Sequence, residues 1–93
     1  MGFNYIVFRT GENQSGTARE FPIVYPDLLV HEDVAIAMKT LPSLKDATVV
    51  SAGSMDLSTG QCWGRSSTLK IESRGEEDRQ LINSYPYFHG ILP

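Results

Sequence analysis

Apolar and polar residues alternate along two stretches that flank Ser58-Thr59-Gly60, and this pattern predicts one long β-hairpin from Ala47 to Glu72. A three-residue loop with Gly in its last position suits a turn with a bulge. Pairing Met55 with Trp63 places the apolar residues of both strands on one face, which fixes the register. We therefore expect Trp63 to lie in the core, with a binding hot spot as the alternative, and the opposite, polar face to be exposed. The apolar face comprises Ala47, Val49, Met55, Leu57, Trp63, Leu69 and Ile71.

Two further strands precede the hairpin. Phe3 to Phe8 is apolar on both faces of an extended segment, which is typical of a central strand. Phe21 to Tyr25 is a second strand, and Pro22 places it at an edge because proline has no N–H to donate to a neighbour. The polar stretch from Arg9 to Glu20 contains two glycines and connects these strands as a long loop.

Helical spacing of apolar residues occurs in two segments. The first runs from Glu32, where acidic residues suit a helix N-terminus, to Leu41, and Pro42 ends it. Ser73 and Glu76 fit a capping box that begins a second helix, which runs to about Asn83. The element order β-β-α-β-β-α predicts a single α+β domain over residues 1–93. We expect a four-stranded, mainly antiparallel sheet with both helices on one face.

The composition is that of a folded, mildly acidic protein. The 93 residues are 41% hydrophobic and carry a formal net charge of −3, which disfavours general binding of nucleic acid. The single cysteine, Cys62, cannot form an intramolecular disulfide, and the N-terminus lacks the pattern of a signal peptide. We expect a cytoplasmic protein with no membrane-spanning segment.

Few residues could support catalysis or cofactor binding. Gly11 to Thr17 resembles a phosphate-binding loop, but that pattern needs Lys in its last position and a helix after it, and this chain has neither. Cys62 could act as a nucleophile with His31 or His89, yet a small residue in a strand is the simpler interpretation. These three residues are also too scattered to suggest a metal site. We expect no enzymatic activity, no cofactor and no metal.

Two features are candidates for contact with a partner: the polar hairpin face and the aromatic C-terminal segment. Five large apolar side chains lie between Tyr85 and Leu92, too many for a segment left in water. They either cover the same chain or dock on a second chain, so a homo-oligomer is one of the alternatives. The candidate contact residues are Arg65, Ser66 and Thr68 on the hairpin, and Tyr85, Tyr87 and Phe88 in the C-terminal segment.

Four segments of the second half form a further pattern: Val50–Gly53, Gly64–Leu69, Ser73-Arg74 and the acidic run Glu76–Asp78. In these segments, which span about half of the chain, the sequence resembles short uncharacterised proteins encoded by bacteriophages and prophages. The resemblance implies a viral or prophage accessory protein in the cytoplasm of a bacterial host. It brings no activity and no functional residues with it.

The leading hypothesis is a small, non-enzymatic accessory protein that acts by binding another protein. The alternative is a nucleic-acid-binding module that uses the polar hairpin face and the loop arginines. Retention on DNA or RNA that weakens with added salt would favour the alternative, because contacts with phosphates release counterions.

Overall fold

The computed structural model describes residues 2–11, 19–42 and 44–84. Within these ranges the chain has the predicted α+β class, with a curled four-stranded antiparallel sheet and two helices. Strands β1 to β4 form the sheet, and β5 pairs with β6 in a separate two-stranded ribbon. The elements are β1 (Phe3–Thr10), β2 (Arg19–Pro26), α1 (His31–Met38), β3 (Thr48–Met55), β4 (Cys62–Trp63), β5 (Arg65–Ser66), β6 (Ile71–Glu72) and α2 (Glu76–Asn83).

The order of strands in the sheet is β2-β1-β3-β4, so β1 is central and β2 lies at an edge. Both placements confirm the predictions made from the apolar faces of β1 and from Pro22. Four consecutive residues of β1, from Tyr5 to Phe8, are completely buried. Because successive side chains of a strand point to opposite faces, both faces of the sheet must be covered at β1.

The two helices provide this cover on opposite faces of the sheet. Ile6 and Phe8 form one apolar cluster with a residue of α1, whereas Tyr5 and Val7 form another with Ile82 of α2. The prediction that both helices lie on one face is therefore wrong. A central strand that is apolar on both sides needs a covering layer on each side, and each helix supplies one.

Two prolines of β2 occupy positions where a missing N–H does not weaken the sheet. The Asp27 N–H donates to the Gly2 carbonyl at 3.1 Å, which makes these residues a hydrogen-bonded pair. Pairs alternate along antiparallel strands, so Pro22 and Pro26 fall in non-hydrogen-bonded pairs and their nitrogens face away from β1. They remove two N–H donors from the side of β2 that faces away from β1, and exposed Pro26 protects this side against pairing with another strand.

The hairpin that follows β3 differs from the predicted one by a shift of one residue. Met55 lies opposite Cys62 instead of Trp63, and Trp63 lies opposite Ser54. Because neighbouring residues of a strand point to opposite faces, this shift turns Cys62 inward and Trp63 outward. Trp63 is 48% exposed, so the prediction that it lies in the core is wrong.

The loop of this hairpin explains the shift. The Asp56 N–H donates to the Gln61 carbonyl at 3.0 Å and closes a loop over residues 57–60, one residue longer than predicted. Gly60 ends the loop with a φ of 77°. This positive value confirms the prediction of a glycine conformation there, although the count of loop residues was wrong.

The hairpin also stops short of its predicted length. Gly64 follows β4 with a φ of 83°, and beyond it β5 and β6 pair with each other in a ribbon that lies against β3. Leu69 and Ile71 nevertheless pack against the apolar cluster that contains Ile6 and Phe8. The prediction of one continuous hairpin is wrong, but the inward direction of these two apolar residues is confirmed.

Helix α1 is shorter than predicted at its C-terminal end. It ends at Met38 instead of Leu41, and Leu41 is exposed although helical spacing placed it toward the core. Val34 and Met38 do pack against the core as predicted. The predicted inward side of the helix is therefore correct for Val34 and Met38 and wrong for Leu41.

Ser73 does not cap α2. The helix begins at Glu76, its N-cap is Gly75, and no side chain caps it. The Ser73 hydroxyl instead accepts a hydrogen bond from the Gly75 N–H at 2.9 Å and lies 2.5 Å from the Tyr5 hydroxyl. Ser73 therefore fixes the turn that leads into α2 and joins that turn to the central strand.

Candidate functional site

The most elaborate group of polar side chains surrounds Asp78, which is fully buried in the first turns of α2. Its carboxylate accepts hydrogen bonds from the Tyr5 hydroxyl at 2.5 Å, the Ser51 hydroxyl at 2.9 Å, and the Arg74 N–H and Nε at 2.9 and 2.7 Å. A carboxylate has about four sites for acceptance, and the chain's own donors occupy them. This group holds α2 to the sheet and leaves no acceptor for a ligand.

The polar group continues to the surface through Arg74. The Glu20 carboxylate forms ion pairs with Arg74 at 3.0 Å and with Arg9 at 2.6 Å, so it joins two arginines. Hydrogen bonds from Arg74, and next those from Arg9, hold the pKa of Glu20 below its ordinary value although burial acts in the opposite direction. Arg79 pairs with Glu76 at 3.0 Å. Three of the five arginines in the chain, Arg9, Arg74 and Arg79, are therefore engaged by carboxylates.

Cys62 lies beside this polar group and is buried. Burial, and next the negative charge of Asp78, raise the pKa of its thiol to about 11. A thiol in this setting stays protonated at neutral pH and is a poor nucleophile. Its candidate base His31 is also engaged, because Nε2 lies 3.0 Å from the Gly53 carbonyl and must donate to it. His89, the other candidate, lies outside the described residues.

The hairpin residues predicted to contact a partner do not share one surface. Arg65 and Thr68 are exposed. Ser66 is fully buried, where its hydroxyl accepts from the Leu69 N–H at 3.1 Å and lies 3.2 Å from the Thr68 hydroxyl. Ser66 shapes the turn between β5 and β6 and is not available for contact. The other three predicted contact residues lie outside the described part of the chain; they are Tyr85, Tyr87 and Phe88.

The exposed apolar residues of the described ranges concentrate on α1 and its two flanks. Leu28, which is 83% exposed, Leu29 and Val30 precede the helix. Ile36, which is 62% exposed, lies on the helix, and Leu41 follows it. We call these five side chains the α1 surface. Large apolar side chains gathered at one element of a small protein are typical of a contact site.

The composition of α1 explains why part of it stays exposed. Val34-Ala35-Ile36-Ala37-Met38 is apolar at five consecutive positions, so apolar side chains surround α1 after its charged first turn. A helical segment that is apolar on all sides is normally buried. In this fold only Ala35 among the five is buried, and the side that carries Ile36 faces away from the sheet. The unbroken apolar run, and the Leu28–Val30 run after a turn, were the signals in the sequence that could have identified this surface.

A groove of about 440 Å³ opens beside Trp63. Asp56 in its lining accepts hydrogen bonds from the Ser58 hydroxyl at 2.7 Å and the Ser58 N–H at 2.8 Å. These bonds from Ser58 hold the pKa of Asp56 below its ordinary value, so the carboxylate is charged at neutral pH. The groove combines apolar walls with one carboxylate. It is lined by Gly2, Phe3, Met55, Asp56, Leu57, Ser58 and Trp63.

Within the described ranges, no three His, Cys, Asp or Glu side chains are arranged to hold a metal ion. Neither α1 nor α2 has the length and apolar character needed to cross a bilayer. Comparisons of the chain with protein-family models, with curated proteins and with solved structures returned no match. The surfaces described above therefore carry the functional proposal.

Proposed function

We propose that this chain is a small, non-enzymatic accessory protein that acts by binding another protein through the α1 surface. The observation that carries the proposal is the exposure of Leu28 before α1 and of Ile36 within Val34–Met38, the part of α1 that is apolar on every side. A helical segment of this kind is normally covered. A partner protein would complete the burial that the domain itself leaves unfinished.

The free energy available at this surface is sufficient for a specific contact. Each large apolar side chain contributes roughly 1.5–3 kcal/mol when it passes from water to a buried site. A few such residues at the centre of an interface usually supply most of the binding energy. Leu28 and Ile36 are the most exposed members of the α1 surface and are therefore the proposed anchors.

The absence of a reaction is part of the proposal. Cys62, the one nucleophile considered, is buried with a raised pKa, and Asp78 is saturated with hydrogen bonds from its own chain. Both observations support a structural role for the polar groups. The resemblance of the second half to phage and prophage proteins supports an accessory role in the cytoplasm of a bacterial host.

Affinity capture with matched variants tests the proposal. The full chain, the double variant Leu28→Ser/Ile36→Ser and the control Arg65→Ser would each be immobilised and exposed to bacterial lysate, with and without nuclease treatment. We expect a protein that the full chain and the Arg65→Ser control retain and the double variant loses. Equal retention by all three chains would place the contact elsewhere, and retention that nuclease removes would favour the nucleic-acid alternative.

A further inference from the structure

The exposed apolar residues before and on α1 lie in a segment without positive charge. Residues 21–38 contain no Lys or Arg, whereas Asp27, Glu32 and Asp33 stand among the exposed side chains there. Residues 46–64, which include five of the seven residues that line the groove beside Trp63, also lack Lys and Arg. The eight basic residues all lie elsewhere in the chain, at Arg9, Arg19, Lys39, Lys45, Arg65, Lys70, Arg74 and Arg79.

Two of these carboxylates have an ordinary role in the helix. Glu32 and Asp33 stand in the first turn of α1, where negative charge stabilises the helix N-terminus. Asp27 precedes the helix by several residues and has no such role. The three carboxylates therefore give Leu28–Val30 and the N-terminal side of Ile36 an acidic border that extends beyond the need of the helix, whereas exposed Lys39, the C-cap of α1, lies on the other side of Ile36. We call Leu28–Val30, Ile36 and the three carboxylates together the acidic end of the α1 surface.

We propose that the acidic end of the α1 surface binds a basic amphipathic segment of a partner protein, in which apolar side chains are flanked by Lys or Arg. This proposal rests on the proposed function and specifies the partner. The apolar side chains of the partner would cover Leu28 and Ile36, and its cations would face Asp27, Glu32 and Asp33. Complementary charge at the border of an apolar contact speeds association and rejects acidic competitors.

The charge distribution disfavours three other occupants. In a symmetric dimer the α1 surface of one chain would face the α1 surface of the other, so the carboxylates of the two chains would repel each other. The C-terminal residues 85–93 contain no Lys or Arg and offer no positive charge to these carboxylates. An anionic lipid surface would be repelled. A basic segment of another protein is the occupant that satisfies both the apolar and the charged parts of the surface.

Three synthetic peptides provide the probes: an amphipathic helix of Leu and Lys, the same helix with Glu in place of Lys, and a helix of Ser and Lys. Each would be titrated into the uniformly ¹⁵N-labelled full chain while backbone amide shifts are recorded. We expect the Leu/Lys peptide to shift residues 27–38 and to bind about tenfold more tightly than the Leu/Glu peptide, the ratio that a few exposed ion pairs provide. The Ser/Lys peptide should also bind more weakly, because it lacks the apolar side chains that would cover Leu28 and Ile36.

A matched pair of charge reversals tests the acidic border. Asp33→Lys should lower the affinity for the Leu/Lys peptide about fivefold. Glu72→Lys makes the same change of net charge at an exposed position of β6 and should leave this affinity nearly unchanged. Asp27→Lys repeats the test outside the helix, in case Asp33→Lys perturbs α1. A folded amide spectrum of each variant shows that the comparison concerns binding and not stability.

Each outcome has a distinct meaning. Equal binding of the Leu/Lys and Leu/Glu peptides at residues 27–38 would overturn the basic partner but leave protein binding by α1 intact. Shifts that appear only elsewhere, or no binding by any peptide, would overturn the basic partner at this surface. Concentration-dependent mass in sedimentation, with the same residues broadened, would assign the surface to a second copy. Binding that appears only after removal of residues 85–93 would assign it to the chain's own C-terminal segment.

Discussion

At the scale of single residues, Asp78 is the side chain on which α2 most depends. Asp78→Asn removes the charge that faces Arg74 and replaces one acceptor oxygen with a donor. Loss of one partner from a buried, hydrogen-bonded ion pair costs about 3 kcal/mol or more, so the urea midpoint should fall sharply. Glu77→Gln is the matched control, since Glu77 also pairs with Arg74 but is largely exposed. Equal midpoints for the parent and Asp78→Asn would contradict the role given to this carboxylate.

Glu20 makes the free energy of unfolding depend on pH in acidic solution. Its pKa in the folded chain is lowered from the ordinary 4.5, chiefly by hydrogen bonds from Arg74. A group whose pKa is lowered by folding stabilises the protein above its unfolded pKa and loses that effect as pH falls through the folded pKa. The gap in unfolding free energy between the parent and Glu20→Gln should therefore be constant near neutral pH and shrink below about pH 4.5. A difference in unfolding free energy that widens as the pH falls would contradict a lowered pKa of Glu20 in the folded chain.

The residue scale also shows where prediction from sequence ends. Pro22 marked an edge strand and Gly60 a positive φ because both signals are local and depend on the backbone of one residue. The bond between Tyr5 and Asp78 joins residues that are 73 positions apart. No periodicity contains that information, since Asp78 in an acidic helix start resembles any solvated carboxylate.

At the scale of elements, Ser73 stabilises the turn before α2 and does not act as the N-cap of the helix. Its hydroxyl contacts both the Gly75 N–H and the Tyr5 hydroxyl. Ser73→Ala and Ser73→Gly should therefore both lower the unfolding free energy, by about 1–2 kcal/mol, the range for lost hydrogen bonds in partly buried positions. Capping predicts a clearly smaller loss for Gly than for Ala. A near-neutral Ser73→Gly in denaturant titration would restore the capping interpretation.

The unpaired side of β2 provides a second prediction about an element. Pro26→Val restores a donor that faces away from β1 at an exposed position, without removing any bond between the strands. We expect this variant to self-associate through this side of β2, because exposed donors invite pairing with another strand. Sedimentation of the parent and the variant at rising concentration measures this. A variant that remains at the mass of the parent would show that Pro26 does not protect the edge.

Register was the least predictable property of the elements. The alternation on both sides of residues 58–60 identified a hairpin, but its register depended on a loop that is one residue longer than predicted. That single residue exchanged the environments of Cys62 and Trp63. Period-two patterns give the faces of a strand, whereas the pairing of two strands also requires the geometry of the turn.

At the scale of the whole molecule, the α+β class followed from the number and type of elements, and the placement of the helices did not. The sheet buries both faces of β1, so α1 and α2 are separated, and neither covers the other. α1 then presents Ile36 to solvent on the side away from the sheet. The proposed contact surface follows from this arrangement, whereas the prediction from sequence placed the contact on the hairpin and the C-terminal segment.

Photo-crosslinking in bacterial cells tests the central claim, that the α1 surface binds another protein. p-Benzoylphenylalanine would replace Ile36 in one full chain and Thr68, an exposed residue of the β5–β6 turn, in another. We expect light-dependent adducts heavier than the chain at position 36 and none at position 68. No adduct at position 36, or adducts of equal yield at both positions, would contradict the account.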